Sequence, residues 1–114
     1  MKHSITLAAM LSVLVPAASY AQTAPKSGKE IYEQMCAGCH GTRGDGAEGH
    51  AGGFSPVITT LARKEYMKQF PDDYLETIIK KGGAAMGRMA SMPAWEKRLS
   101  DEEIKSVVAH IRTF

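Results

Sequence analysis

The chain has few of the residues that would support most other readings. It holds two cysteines in 114 residues, so no disulfide network is available and a four-cysteine zinc ribbon is excluded. Neither sign of charge dominates: the formal net charge is +2, which argues against nucleic acid as a partner. No window shows sustained alternation of apolar and polar residues, so no sheet is expected. There are no repeats and no second composition regime, and the length suits one small domain.

Long apolar runs are also missing, apart from Ile5 to Val15. Lys2 and His3 precede that run, Pro16 follows it, and Ser19 and Ala21 place small residues at −3 and −1 of a cleavage site. The layout is that of a secretory signal peptide over residues 1–21, and the run is short for a membrane span of about 20 residues. Cleavage after Ala21 leaves 93 of the 114 residues, with one net positive charge and no segment for stable membrane insertion. Residues 22–26 read as a flexible leader and 27–114 as a single domain. A domain this small often needs a covalent or metal staple.

The rest reads as short helices. Ser27 with Glu30, and Ser100 with Glu103, are capping-box pairs that open a first and a last helix. Gly28, Ile31, Tyr32 and Met35 supply the inner face of the first, and Ile104, Val107, Val108 and Ile111 that of the last. A short helix is expected over Thr59–Phe70. Another runs from an N-cap at Asp72 to Lys81, with Leu75, Ile78 and Ile79 as its apolar stripe, and Gly82-Gly83 stops it. Six glycines between Gly41 and Gly53 mark a loop, and Ala84–Ala94 is irregular and rich in methionine.

The chemistry lies in Cys36-Ala37-Gly38-Cys39-His40. A Cys-x-x-Cys pair in an exported chain fits a redox dithiol or half a zinc site. A thioredoxin-like dithiol needs a βαβ setting that this chain lacks. His40 is the residue that discriminates. Two thiols separated by two residues reach two vinyl groups on one edge of a porphyrin, and a histidine directly after the second is carried under the ring, where it binds iron. The motif therefore predicts one covalent haem c, attached through Cys36 and Cys39, with His40 as an axial ligand.

A second ligand must come from elsewhere. Met35 and Met67 fall in helical segments and read as core. Met86, Met89 and Met92 share the irregular stretch, and spacing does not rank them. His50 is too close along the chain to His40 to reach the opposite ring face with ease, and His110 reads as a helix-surface residue. Lys80, Lys81, Arg88, Lys97 and Arg98 form either a basic rim for an acidic partner or an ordinary solvated surface, and the second is favoured.

Together Gly28-x-x-x-Tyr32, Cys36-Ala37-Gly38-Cys39-His40, Met92-Pro93-Ala94-Trp95 and the closing helix to Ile111 resemble the class I cytochromes c, small soluble monohaem proteins. The resemblance implies an all-α cytochrome c fold of three to five short helices around one haem. In that fold the N- and C-terminal helices cross, Gly28 gives close approach, and Tyr32 and Val107 pack there. Where the family often has an aromatic residue one turn after Val107, this chain has His110. The resemblance also implies Met92 as the sixth ligand, with Met86 and Met89 as packing residues. It makes the Pro56 carbonyl the acceptor for the His40 ring N–H. The implied activity is electron carriage in the periplasm between redox partner proteins (a dehydrogenase, reductase or oxidase) without enzymatic turnover. The alternative is a dedicated haem subunit of a dehydrogenase or oxidase complex. A peroxidase or a gas sensor would need an exchangeable sixth ligand, with His50 the only nominee for an acid or base.

Overall fold

The computed structural model describes residues 26–46 and 60–114. In chain order the helices are α1 (Gly28–Met35), α2 (Ala37–His40), α3 (Lys64–Met67), α4 (Asp72–Lys81) and α5 (Asp101–Ile111), with a 3₁₀ turn at Ala84–Met86. No strand occurs among the described residues, as the sequence pattern predicts.

Both capping boxes form. Ser27 Oγ accepts from the Glu30 amide at 3.3 Å, and the Glu30 carboxylate accepts from the Ser27 amide at 2.8 Å. Ser100 and Glu103 repeat the pattern at 3.2 and 2.9 Å. Each box satisfies amides that a helix start would leave without acceptors. The Ser27 amide and hydroxyl also hold the Glu30 carboxyl below its ordinary value.

α1 and α5 pack against each other and make the centre of the molecule. Ile31, Tyr32 and Val107 are fully buried, and Ile104, Val108 and Ile111 complete the face. Burial of each such side chain stabilises the fold by roughly 2 kcal/mol. Gly28 is what lets the two helices meet. A Cβ there would lie 1.9 Å from the Ser106 carbonyl oxygen. His110 does not lie loose on the helix surface, as the sequence suggests. Its ring is half-buried and sits edge-on to Tyr32 at 5.3 Å and to Phe114 at 5.1 Å. An imidazole thus fills the aromatic position one turn after Val107.

Two expectations are corrected by a few residues. The helix expected over Thr59–Phe70 is one turn, Lys64–Met67. Arg63 offers it no side-chain cap. Phe70 precedes a proline, which disfavours helical backbone. The N-cap of α4 is Pro71 rather than Asp72, which becomes the first helical residue. From α5, Arg112 closes this region: Nη1 donates to the Met67 carbonyl at 2.9 Å, Nη2 to that of Phe70, and Nε to Asp72 at 2.8 Å. At its other end α4 stops at Gly82, where φ is +83°.

Candidate functional site

α1 delivers the cysteine motif. Its C-cap is Cys36, whose amide donates to the Tyr32 carbonyl at 2.9 Å, and α2 begins at the next residue. The two cysteines and the histidine therefore occupy one turn of helix. Cys36 is half-buried against the apolar core, Cys39 is exposed, and neither is in a disulfide.

Three bonds fix the turn around His40. The His40 amide donates to the Cys36 carbonyl at 2.9 Å, and the His40 carbonyl accepts from the Gly46 amide at 2.8 Å. The Tyr32 hydroxyl, inside the α1–α5 contact, donates to the Gly41 carbonyl at 2.8 Å. Sequence reasoning treats Tyr32 as packing alone, because a buried phenol's acceptor is not written in helical spacing. The glycines after the motif matter at two points. Gly41, with φ at +79°, ends α2. Gly44, with φ at +71°, lies under Phe114, whose Cδ2 would be 2.6 Å from a Cβ there. Pro56 and His50 lie outside the described residues.

Burial, followed by the neighbouring Cys39 charge, pushes the Cys36 thiol up to about 11. Burial, followed by the Cys36 and Asp45 charges, also holds the Tyr32 phenol well above its ordinary range, so it remains a hydrogen-bond donor at neutral pH. Among the described residues no three or more His, Cys, Asp or Glu side chains converge to hold a free metal ion. What the turn does present is two unbridged thiols and an imidazole whose Nδ1 is shielded from water. That donor set fits a covalently attached haem.

The methionine stretch folds back onto the end of α4. The Gly83 amide donates to the Met92 carbonyl at 2.9 Å, Trp95 to the Ile79 carbonyl at 3.0 Å, and Glu96 to that of Lys80 at 3.2 Å. Gly82 and Gly83 permit this approach. A Cβ on Gly82 would lie 2.9 Å from the Ala94 nitrogen, and one on Gly83 would lie 2.0 Å from the Met89 oxygen. The sequence shows the pair as a helix stop, and the close approach is visible only in three dimensions. Met92 is half-buried and packs against the same core as Cys36. Met86 is half-buried and Met89 is 38% exposed. Met67 is buried, and Met35 packs against the core.

Much of the basic rim is engaged locally. Lys80 pairs with Asp101 and Lys81 with Glu96, both at 2.6 Å. The Arg98 guanidinium lies over the Trp95 ring at 5.2 Å, and that of Arg88 over Phe70 at 5.7 Å. No helix among the described residues is long and apolar enough to cross a membrane.

Comparison with known proteins gives a consistent set of relatives. Residues 23–111 match the family model described as "Cytochrome C oxidase, cbb3-type, subunit III". The chain is 36% identical over 87 residues to cytochrome c6 of Tetradesmus obliquus, covering 74% of this chain and 83% of that protein. It is 34% identical over 90 residues to the cbb3-type cytochrome c oxidase subunit CcoP of Azospirillum brasilense, covering 77% of this chain. The match spans only 28% of that CcoP protein. Among solved structures, the KustC0563 c-type cytochrome superposes with a TM-score of 0.63 at 26% identity, covering 78% of this chain and 98% of that one.

Proposed function

This chain belongs to the c-type cytochromes, in the family described as cytochrome C oxidase, cbb3-type, subunit III, and from that premise we propose a periplasmic electron carrier whose iron is held by His40 and Met92. The cofactor is one covalent haem c, the fold is that of cytochrome c, and the work is single-electron transfer with redox partner proteins. The haem supplies a one-electron iron couple. Everything else falls to the chain's own residues.

Cys36 and Cys39 anchor the haem through thioethers. His40 sits on a turn whose backbone is fixed by three hydrogen bonds, which sets where its imidazole leaves the chain. The Pro56 carbonyl is the proposed acceptor for its ring N–H, which would make the imidazole a better donor. Met92 supplies a soft thioether, and a Met/His pair raises the potential relative to two nitrogens. The observation that carries the assignment is the contrast within the loop: Met92 packs on the core that also holds Cys36, while Met89 is exposed. With His40 and Met92 both holding the iron, no position would be left open to a substrate, and the chemistry supplied would be one-electron exchange. A signal peptide over residues 1–21 and a leader over 22–26 would deliver the 27–114 domain to the periplasm.

The Met92→Ala protein should lose the far-red charge-transfer band of Met-ligated ferric haem, while Met86→Ala and Met89→Ala retain it. Survival of the band in Met92→Ala, with loss in either other variant, overturns the assignment. The reduced native protein should not bind carbon monoxide tightly at neutral pH, and tight binding overturns the carrier reading in favour of a peroxidase or sensor.

A second reading, a haem subunit of an oxidase, draws on the family description and on the CcoP similarity. The cytochrome c6 match favours the free carrier, because it runs along most of that protein.

A further inference from the structure

Beside its backbone bonds, the Met92 loop makes one side-chain contact far back along α4. The 3₁₀ turn Ala84–Met86 is followed by Gly87 in the left-handed region, with φ at +64°. The chain reverses there, and the Arg88 amide donates to the Gly83 carbonyl at 2.8 Å. The reversal directs Arg88 along the outer side of α4. Its Nε donates to the Tyr74 hydroxyl at 3.2 Å, on the first turn of that helix. The guanidinium carbon lies 5.7 Å from the centroid of Phe70, just before the helix. Phe70 and Tyr74 are stacked at 5.1 Å with 27° between their planes, and Tyr66 meets Phe70 edge-on at 5.1 Å. All three rings pack against the core. The arginine therefore rests on a platform that is itself fixed.

Its contacts also differ in kind from those of the basic residues that pair with carboxylates. Lys80, Lys81 and Arg112 pair with Asp101, Glu96 and Asp72. Arg88 is held by a phenol and by a ring face. A planar guanidinium can make both contacts at once, and an ammonium cannot reproduce that pairing.

We propose that Arg88 is a positioning residue for the haem, a latch that ties the Met92 loop to the Phe70–Tyr74 platform and so keeps the Met92 thioether on iron. The proposal rests on the Met92 ligation argued above. The latch is four residues from Met92, and the two lie on the same return path along α4. If the latch is released, the stretch between Gly83 and Met92 keeps only its main-chain bonds and the packing of Met92, and the thioether leaves iron more often. An external ligand then captures the iron faster. A cation–π contact at an exposed site is modest, so the effect is a change of rate rather than loss of the fold.

The test is cyanide binding to the ferric holoprotein, followed by stopped-flow at fixed pH and salt. Arg88→Ala should bind cyanide about threefold to fivefold faster than wild type, the factor expected from one exposed cation–π contact. Arg88→Lys should fall between the two, because it keeps a cation over Phe70 and loses the guanidinium bond to Tyr74. Amide hydrogen exchange at Met86 and Met92 should quicken in Arg88→Ala, while that at Ile31 and Val107 stays unchanged. A wild-type far-red band together with wild-type cyanide rates in Arg88→Ala overturns the latch alone. A wild-type protein without the far-red band overturns Met92 ligation and, with it, the latch.

Discussion

At the α1–α5 crossing, the contacts are between side chains that water does not reach, and a single glycine brings the two backbones together. Along the Met92 loop the contacts are between main-chain groups, and most of the side chains face outward. The crossing buries Ile31, Tyr32, Ile104 and Val107. The loop, apart from Met92, Trp95 and the Arg88 side chain, rests on the end of α4 through Gly82 and Gly83. Packing of the first kind is cooperative, because each side chain fills space left by the others. Hydrogen bonds of the second kind are few, near solvent and separately breakable. The molecule thus places the cysteine turn on its most rigid part and the proposed sixth ligand on a part that can move without unfolding.

The comparison predicts that substitutions in the two regions fail differently. Gly28→Val should have the largest effect. Its side chain would collide with the Ser106 backbone, which cannot turn aside as a side-chain tip can. A loss of about 3 kcal/mol or more is expected, read as a drop in the thermal midpoint of the holoprotein. The far-red band should persist until the fold melts. Gly83→Ala should behave in the opposite way. The added methyl meets the Met89 carbonyl, and the loop can shift outward to relieve it. About 2 kcal/mol of stability is expected to go. The main result should be a weakened far-red band well below the melting temperature. If Gly83→Ala melted the whole fold and left the band intact, the proposed independence of the loop would be wrong.

Tyr32→Phe is the smallest change and the sharpest. It keeps the ring in the crossing and removes the hydroxyl that holds the Gly41 carbonyl. Leaving that carbonyl without its donor should cost about 1 kcal/mol. If the crossing also orients His40, the reduction potential should shift in this variant. An unchanged potential would confine Tyr32 to a packing role.

How much of this was legible in the sequence differs between the same two regions. Both capping boxes and the stripe from Ile104 to Ile111 could be read directly, because helix starts and helix faces are local patterns. The sequence alone overextends the one-turn α3, since its apolar residues suggest a helix while the Phe70–Pro71 step ends it. His110 looked like a surface residue because its ring partners come from another helix and from Phe114 beyond the end of α5. The three methionines could not be ordered by spacing. Resemblance singled out Met92, and only in three dimensions does the chain separate a half-buried Met92 from an exposed Met89. Arg88 read as one more charge on a rim because its partners, Phe70 and Tyr74, precede it by more than a dozen residues.

The Tyr32–Gly41 bond also bears on the order of events as the chain is made. Tyr32 and the cysteine turn emerge early, while the α5 residues that enclose Tyr32 emerge late, with nearly all of the domain between them. Contacts so distant in sequence close slowly. Until α5 docks, nothing from that helix seals the phenol or holds α1 in place. The cysteine turn therefore passes through a stage in which its main anchor to the core is not yet enclosed. Arrival of the last helix encloses Tyr32 and, through the bond to the Gly41 carbonyl, fixes the turn that carries His40.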